Sequence, residues 1–483
     1  MNDRIPGKTR SLHAILPFVC AFFFMTFLAT TVHSQPPSAS TNAEKHQQLA
    51  RDVFRQLIEI KTTLNVGCTK AAEAMAVRLR AVGFPDKDIH LAGPEPRHMN
   101  LVVRYRGKGS ERPVLIIGHL DVVEALREDW SVDPFTFLEQ DGYFYGRGTA
   151  DMKSEDADIV ANFIRLKSEG FVPRRDIIVA LTEDEESGDA NGIEWLLKNR
   201  RDLIDAEYGI NLDMGGGDLK HGKHMDVKIQ TSEKTYVSFQ LEVKNKGGHS
   251  SRPSKENAIY RLAGGLTRLG QYDFPVRLNE TTRLFFEHAA TNESGQMSAD
   301  LHGLVTGSSD TAGIARISSG SPYYNALMRT TCVATMLAGG HAENALPQSA
   351  RATVNCRMLP DDSDVNVLAA LRSVLADSQI IVTELGAPPP NPLSPLREDI
   401  EKEVERLAQL MWPGTAVVPE MSTGASDGKY LRQAGIPVYG VSGIFSDVDD
   451  NREHGKDERV GVREFYDGVE FMYAFLKDMY GGG

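Results

Sequence analysis

The sequence predicts an α/β fold, in which a mostly parallel sheet has helices on both faces and carries an inserted α+β domain. First, short apolar runs rich in Val and Ile alternate with segments of helical periodicity. Second, from about Lys234 to Leu385 this pattern gives way to alternating stretches such as Y-V-S-F-Q-L-E-V, which are typical of antiparallel strands. Third, 483 residues exceed what one hydrophobic core usually covers. We therefore expect two domains, one inserted into the other.

The N-terminus has the pattern of an export signal. Arg4, Lys8 and Arg10 precede an apolar run over residues 14–29, and Ser34 suits the position before a cleavage. We assign residues 1–34 to a signal peptide and expect an exported protein, periplasmic or secreted, with no stable membrane span after cleavage. The alternative is an uncleaved anchor, since the run is near but below the roughly 20 apolar residues that cross a bilayer.

The main domain is predicted in two parts, 44–233 and 386–483. A segment rich in Pro, Ser and Ala, 35–43, precedes it and is predicted to be a solvated linker. Helical spacing begins with apolar residues such as Leu49 and Val53.

The insertion is predicted over 234–385. A helix is expected near 257–269, whereas the segment from Tyr272 to Gly320 has the composition of loops. Cys332 and Cys356 lie in apolar, strand-like stretches, where a buried thiol and a single disulfide are both compatible with the pattern.

Three predicted strands of the main domain end in residues that bind metals or move protons. These are the strand over 114–117, followed by His119 and Asp121; the strand over 177–181, followed by Glu185 and Glu186; and the strand over 210–212, followed by Asp213. In open α/β sheets, ligands bind beyond the carboxyl ends of the strands. These side chains are therefore expected at one rim of the sheet.

Each of these residues has an ordinary structural explanation when it is taken alone. Asp151 suits the N-terminus of a predicted helix, the acidic pair Glu185 and Glu186 suits a solvated run, and Asp213 suits a turn. Their occurrence at successive strand ends favours a metal site, because converging carboxylates repel one another unless cations compensate them. Nitrogen and oxygen donors in this mixture suit zinc, and two ions fit the number of ligands.

Short motifs then make the pattern specific. In chain order they are G-H-L-D-V-V, G-R-G-T-A-D-M-K, D-E-E-S-G, N-L-D-M-G-G-G, G-G-H-S-S-R-P, E-N-A-L-P, V-N-C-R-M-L-P, S-T-G-A-S-D and E-H-G-K-D-E-R-V. From residue 45 to 480 the chain thus resembles the dizinc exopeptidase family of carboxypeptidase S, glutamate carboxypeptidase, aminoacylase and succinyl-diaminopimelate desuccinylase. The resemblance implies a zinc exopeptidase-like catalytic domain, an inserted lid or dimerisation domain, and a homodimer. It also implies two zinc ions per subunit, with cobalt or manganese as alternatives.

The resemblance implies a role for each residue at the rim. The implied metal ligands are His119 and Asp213 for one ion, Glu186 and His454 for the other, and Asp151 as the bridge between them. Glu185 would be the general base, and Asp121 would orient the imidazole of His119. The resemblance further implies a cis peptide between Asp151 and Met152.

One position departs from many relatives, which have Glu where this chain has Met214. In those relatives the metal ligand would be the residue at position 214, one residue after Asp213. We assign the ligand to Asp213, because methionine is a poor zinc ligand beside oxygen donors.

Substrate-binding residues are implied in both domains. His249 and Asn344 match positions that reach the scissile carbonyl, and Arg357 matches one that holds the substrate's free carboxylate, a task suited to its planar fork. Thr423 and Gly424 are expected on the product side of the cleft.

The expected activity is hydrolysis of an amide bond beside a free α-carboxylate, of the carboxypeptidase or dipeptidase type. The alternative is an N-acyl-amino-acid amidohydrolase, and a more remote one is a metal-dead peptide-binding homologue. A serine hydrolase finds no support, since no G-x-S-x-G elbow follows a strand. A net charge of -13 without a basic stripe argues against nucleic acid as a partner.

Overall fold

The structure is a computed structural model that describes residues 39–187, 190–386 and 390–482. The signal peptide assigned to 1–34 lies outside the described residues. Helix α1 begins at Ala39, so the last five residues of the linker predicted over 35–43 are helical instead. From Lys45 onward, the described residues form one compact unit.

The helices lie throughout the chain. They are α1 (Ala39–Glu59), α2 (Thr69–Ala81), α3 (Lys153–Ser168), α4 (Gly192–Asn199), α5 (Arg201–Ile204), α6 (Ala258–Leu269), α7 (Glu280–Asn292), α8 (Gly295–Thr306), α9 (Thr311–Gly320), α10 (Pro322–Met328), α11 (Asp364–Leu375), α12 (Glu398–Met411), α13 (Gly428–Gln433) and α14 (Val462–Tyr480).

The strands alternate with these helices in the main domain and cluster in the insertion. They are β1 (Ile89–Glu95), β2 (His98–Tyr105), β3 (Val114–His119), β4 (Leu138–Gln140), β5 (Tyr143–Tyr145), β6 (Ile177–Thr182), β7 (Tyr208–Asn211), β8 (Gly216–Lys220), β9 (Lys223–Glu233), β10 (Thr235–Lys244), β11 (Gly248–His249), β12 (Thr331–Gly339), β13 (Ala345–Leu346), β14 (Ser349–Met358), β15 (Ile381–Leu385), β16 (Ala416–Ser422), β17 (Val438–Gly440), β18 (Phe445–Asp447) and β19 (Arg459–Gly461).

The largest sheet among the described residues has the order β1-β2-β6-β3-β7-β17-β9-β8-β18, with β16 paired to β9. Its centre is parallel, because β3 pairs in parallel with both β6 and β7, and β7 pairs in parallel with β17. Antiparallel pairs flank this centre, for example β2 with β6 and β8 with β9. The predicted mostly parallel sheet is confirmed.

Helices cover both faces of this sheet. In β3, Val114 and Ile116 pack into a cluster with residues of α1, α2, α3, α12 and α14. The alternate residues Leu115 and Ile117 pack with residues of α4, α5 and α13. Every residue of β3 is therefore buried, as expected for a strand between two helical layers.

The insertion has its own sheet and core. Four antiparallel strands follow the order β12-β14-β10-β15, and helices α6 and α11 pack on one face through residues such as Leu262 and Leu371. Cys332 and Cys356, for which the sequence allowed either state, form a disulfide between β12 and β14. This sheet spans 235–385, within the predicted insertion.

The expectation that Tyr272 to Gly320 is loop-rich is wrong. The structure places α7, α8 and α9 in this segment, and α10 follows directly. Phe286 of α7 and Leu301 of α8 are fully buried in a cluster with Val418 and Met421 of β16. The helices thus form where they can pack against the main domain.

The structure contains no helix, in the part of the chain it describes, that is long and apolar enough to cross a membrane.

Candidate metal centre

The residues predicted at the rim belong to three adjacent strands. His119 is the last residue of β3, while Glu185 and Glu186 follow β6 and Asp213 follows β7. Since β6, β3 and β7 are neighbours in the sheet, their carboxyl ends deliver these side chains to one place. Asp151 comes from the loop between β5 and α3, and its peptide bond to Met152 is cis, as the resemblance implies.

One group of potential metal ligands is formed by His119, Asp151 and Asp213, whose donor atoms lie within 4.8 Å of one another. The Nε2 atom of His119 is 3.0 Å from Oδ1 of Asp151 and 3.7 Å from Oδ1 of Asp213. The imidazole is 3% exposed, so this group is almost completely enclosed.

A second group is formed by Asp151, Glu186 and His454. The Nε2 atom of His454 lies 2.8 Å from Oδ2 of Asp151 and 3.0 Å from Oε2 of Glu186. His454 stands on a loop with a left-handed backbone (φ 58°), and its side chain is 49% exposed. Asp151 therefore belongs to both groups and offers one carboxylate oxygen to each.

Asp121 supports the rim differently from what the resemblance implies. Its backbone oxygen, at 3.1 Å, is closer to Nδ1 of His119 than its carboxylate, at 3.6 Å. The carboxylate instead accepts hydrogen bonds from the backbone N–H groups of Glu185 and Glu186, at 3.2 and 3.0 Å. Asp121 thus holds both the imidazole and the acidic pair.

The electrostatics reflect carboxylates crowded around two imidazoles. Burial alone would lower the pKa of His119, but hydrogen bonds with Asp121, Asp151 and Asp213 raise it well above its ordinary value. Hydrogen bonds with Asp151 and Glu186 raise the pKa of His454 to about 10. Both shifts have the same cause, which is the crowding of carboxylates that favours positive charge at this place.

The donor set fits a pair of divalent cations. Two imidazoles and three carboxylates provide the nitrogen and oxygen ligands that zinc accepts, and Asp151 is placed to bridge. Oδ1 of Asp151 lies 3.0 Å from Nε2 of His119, so these two atoms are close enough to be ligands of one ion. Asp213 is the third member of the first group.

Glu185 belongs to neither group of metal donors among the described residues. Burial raises the pKa of its carboxyl group well above the ordinary value, and the nearby charges of Asp213 and Asp427 add to this effect, while His119 opposes it. Glu185 is therefore free to exchange a proton.

A cleft with a cavity volume of about 930 Å³ opens on these groups. Glu185, Arg357, Thr423 and Gly424 line it, together with four of the five metal-ligand candidates, Asp151, Glu186, Asp213 and His454. In this single chain, His249 and Asn344 do not line the cleft. Both residues are exposed. His249 lies in β11 and Asn344 lies in the turn before β13, and these two strands pair with each other, so the two residues are neighbours.

Sequence reasoning passed over two residues that hold the rim together. Glu458 is fully buried and accepts hydrogen bonds from the loop that carries Asp151, and Arg147 ion-pairs with Glu458. Both stand inside quoted motifs, in E-H-G-K-D-E-R-V and G-R-G-T-A-D-M-K. The sequence offered one signal for this pair: each of the two motifs contains a metal-ligand candidate, and the two motifs also contain charged residues of opposite sign.

The chain is similar to several known proteins in sequence and in fold. A human protein named N-fatty-acyl-amino acid synthase/hydrolase PM20D1 is 29% identical over 380 residues, which cover 76% of this chain and 74% of the human protein. A Dictyostelium discoideum protein named probable carboxypeptidase S-like 2 is 28% identical over 388 residues, with coverages of 78% and 74%. The solved structure of the M20 family metallo-carboxypeptidase Sso-CP2 from Sulfolobus solfataricus superposes with a TM-score of 0.66 at 17% identity, covering 89% of this chain and 98% of that one.

The family model described as peptidase family M20/M25/M40 matches residues 115–478, about three quarters of the chain. The match includes every rim residue and the whole insertion. The chain belongs to peptidase family M20/M25/M40, and it is a metallopeptidase or amidohydrolase of that family.

Proposed function

We propose that this protein is an exported exopeptidase with two metal ions, which hydrolyses the amide bond next to a free α-carboxylate in dipeptides or other small peptides. The observation that carries the proposal is the shared carboxylate of Asp151, which joins two groups of metal donors at a cleft that also contains Glu185 and Arg357. Zinc suits the donors best, and cobalt or manganese are the alternatives to test.

His119, Asp151 and Asp213 would hold one metal ion, and Asp151, Glu186 and His454 the other. When bound, the pair supplies Lewis acidity and makes a water molecule acidic enough to react near neutral pH. The protein's own contribution is to hold these donors at a rim whose backbone is tied down by Asp121.

Glu185 is the proposed general base and acid. It takes a proton from the attacking water on a carboxylate oxygen and returns that proton to the leaving nitrogen. The raised pKa of its buried carboxyl group suits this task, because a carboxyl group at its ordinary pKa would hold a proton poorly near pH 7.

Arg357 is proposed to bind the substrate's α-carboxylate. Its guanidinium lies 4.9 Å from the ring centre of Tyr236, and Glu233 is near enough to act on its charge without forming an ion pair with it. A half-buried cation without a direct ion-pair partner is suited to an anionic substrate group, which its fork can bind through two hydrogen bonds.

Our preference for peptides over long acyl chains rests on the polar side chains in the cleft wall, which include Lys234, Glu420, Asn391, Gln433 and Tyr430. A hydrocarbon chain lying against these groups would leave them without partners. N-acyl-amino-acid hydrolysis remains the second candidate, because the human relative carries that activity in its name.

A homodimer through the insertion is part of the proposal. Strand β12 is an edge strand of the described sheet and exposes Val333, Met336 and Leu337, each more than 60% accessible. An apolar edge with unpaired backbone groups suits pairing with a second copy of the chain. His249, which lies outside its own chain's cleft, would then be available to the partner's site.

Export is proposed from two features. The first is the basic and apolar N-terminal pattern over 1–34. The second is the disulfide between Cys332 and Cys356, since such bonds persist mainly in oxidising compartments.

The test uses matched substrates with the metal-free protein and zinc, cobalt or manganese added separately. We expect alanyl-leucine to be hydrolysed, and alanyl-leucinamide, which lacks the α-carboxylate, to be cleaved at least about 100-fold less efficiently. Preference for N-acetyl-leucine or N-oleoyl-leucine over the dipeptide would replace the peptidase proposal by the amidohydrolase. A protein that binds no metal and cleaves none of these substrates would contradict both.

A further inference from the structure

Glu458 has an unusual set of hydrogen-bond partners for a buried carboxylate. It is 0% exposed, and its Oε1 accepts the backbone N–H groups of Ala150 and Asp151, at 2.7 and 3.1 Å. Its Oε2 accepts the N–H of Gly148 at 3.1 Å and a hydrogen bond from the guanidinium of Arg147. Four donors from one loop, the loop that presents Asp151, therefore converge on one side chain of another loop.

Arg147 continues the connection to His454. Its Nη2 donates to the backbone oxygens of His454 and Gly455, at 3.3 and 3.1 Å, while the guanidinium lies 5.1 Å from the ring centre of Trp130. The side chain is 2% exposed, so water does not compete strongly for these bonds.

The two loops have little regular structure of their own at the metal-ligand candidates. Asp151 precedes α3, and His454 stands between β18 and β19. His454 is half exposed, so packing alone does not determine where its imidazole lies. Backbone hydrogen bonds must therefore determine much of the spacing between these two side chains.

We propose that Glu458 and Arg147 form a clamp that positions Asp151 relative to His454 and thereby keeps the two metal sites at a fixed spacing. The clamp is the pair of side chains together with their bonds to residues 148–151 and 454–455. The inference rests on the proposed metal centre for its functional meaning, but the clamp itself is a property of the metal-free protein.

A substitution that keeps size and removes charge tests the clamp most directly. In Glu458→Gln, one carboxylate oxygen becomes an amide NH₂, which faces N–H donors and cannot accept from them. Either the pair from Ala150 and Asp151 or the pair from Gly148 and Arg147 must then lose its acceptor. Asp88→Asn is the matched control, because Asp88 is also buried and ion-paired with an arginine, Arg106, but does not line the cleft.

The first measurement is amide hydrogen exchange in metal-free protein, which does not depend on the proposed function. We expect the amides that lose their acceptor in Glu458→Gln, either those of Ala150 and Asp151 or that of Gly148, to exchange at least about tenfold faster, with the segment around His454 also loosened. Asp88→Asn should leave both segments as in wild type. Unchanged protection of both segments in Glu458→Gln would overturn the clamp.

The second measurement is zinc affinity, by competition with a chromophoric chelator. Because Asp151 serves both groups, Glu458→Gln should weaken both sites by about 10- to 100-fold. Wild-type affinity at both sites, in a variant whose loop is loosened, would reduce Glu458 to a structural residue and overturn the proposal. Failure of the wild-type protein to bind zinc would instead contradict the proposed function and leave the exchange result to decide about the clamp.

Arg147→Lys keeps the charge and provides a second variant if Glu458→Gln does not fold. An ammonium can pair with Glu458 but cannot span to the carbonyls of His454 and Gly455 as the fork does. We expect a loss of about tenfold or more at the site with His454, and a smaller loss at the site with His119. Equal losses at both sites, or none, would contradict a clamp that acts on His454 through Arg147.

Discussion

The rim of the main domain and the tip of the insertion are built in contrasting ways. At the rim, His119 is almost completely buried, and hydrogen bonds hold Asp151 and Glu186 in place within one chain. At the tip, His249 and Asn344 are exposed and lie outside the cleft. The rim residues of the proposed site are therefore already in place in a single chain, whereas His249 and Asn344 of the insertion are not.

The difference indicates which steps can occur in a single chain. In the proposed function, the rim would bind metal and move a proton with its side chains where they already lie. Contacts from the insertion to a substrate carbonyl require either movement of the insertion or a second copy of the chain. Substitutions in the two regions should therefore fail in different ways.

The largest effect is expected from Glu185→Gln. The variant should retain both metal ions but lose about 10²- to 10⁴-fold in kcat, because it removes the proton carrier and leaves the ligand set intact. Metal content by elemental analysis and steady-state kinetics check the two parts. Loss of metal with Glu185→Gln, and its retention with Glu186→Gln, would reverse the two assigned roles.

Glu186→Gln should weaken one metal site and spare the other. Glu186 belongs only to the group with His454, so we expect a loss of about 10- to 100-fold in affinity for a single zinc ion. Chelator competition with two resolved binding steps provides the measurement. Equal weakening of both sites would contradict the division of ligands at the rim.

The contrast with the insertion is sharpened by subunit complementation. His249→Ala and Glu185→Gln should each be inactive alone. After subunit exchange, activity should recover to about a quarter of wild type, since half of the dimers are mixed and each mixed dimer has one intact site. Exchange demonstrated by labelled subunits but without recovered activity would place His249 in its own chain's site.

The rim could be predicted well from the sequence because each side chain follows a buried strand. The predicted strands over 114–117, 177–181 and 210–212 correspond to β3, β6 and β7, within three residues at each end. The carboxyl ends of neighbouring parallel strands lie at the same edge of a sheet, so predicting where each strand ends also predicts which side chains lie close together. The positions of Glu458 and Arg147 were not predictable in this way, since their ion pair joins residues 311 positions apart.

The helices from α7 to α10 could not be found from periodicity, because their segment is rich in Gly, Ser and Thr. Their stability comes from packing on β16, where Phe286 and Leu301 meet Met421. The caps were the remaining signal: Asn279, Asp310 and Ser321 each accept a backbone N–H at a helix start. Capping residues together with apolar spacing therefore indicate where these helices begin.

The last effect, on stability and not on activity, is expected at the joint between the two regions, where Lys234 begins the predicted insertion. Lys234 is 1% exposed and donates to the backbone oxygen of Arg329 at 2.8 Å and to Oγ1 of Thr331 at 3.3 Å. Burial, and then the positive charge of Arg357, lower its pKa to about 7 from the ordinary 10.5.

Between pH 7 and 10.5 the unfolded chain therefore binds a proton at Lys234 that the folded chain mostly lacks. The free energy of unfolding should rise with pH across this window by up to about 1.4 kcal/mol per pH unit from this group. Below pH 7 the folded protein bears the full cost of burying a charged lysine.

Lys234→Met removes this cost but loses two hydrogen bonds, each worth about 1 kcal/mol. The variant should then be more stable than wild type at pH 6, and its advantage should shrink and reverse towards pH 10. Lys228→Met is the contrast, because Lys228 is partly buried and paired with Asp218 at 2.8 Å, and its loss should destabilise the protein at pH 6 and at pH 10. Denaturant unfolding of the two variants and wild type at pH 6, 8 and 10 gives the comparison, and an advantage of Lys234→Met that does not fall with pH would mean that this lysine stays charged when folded.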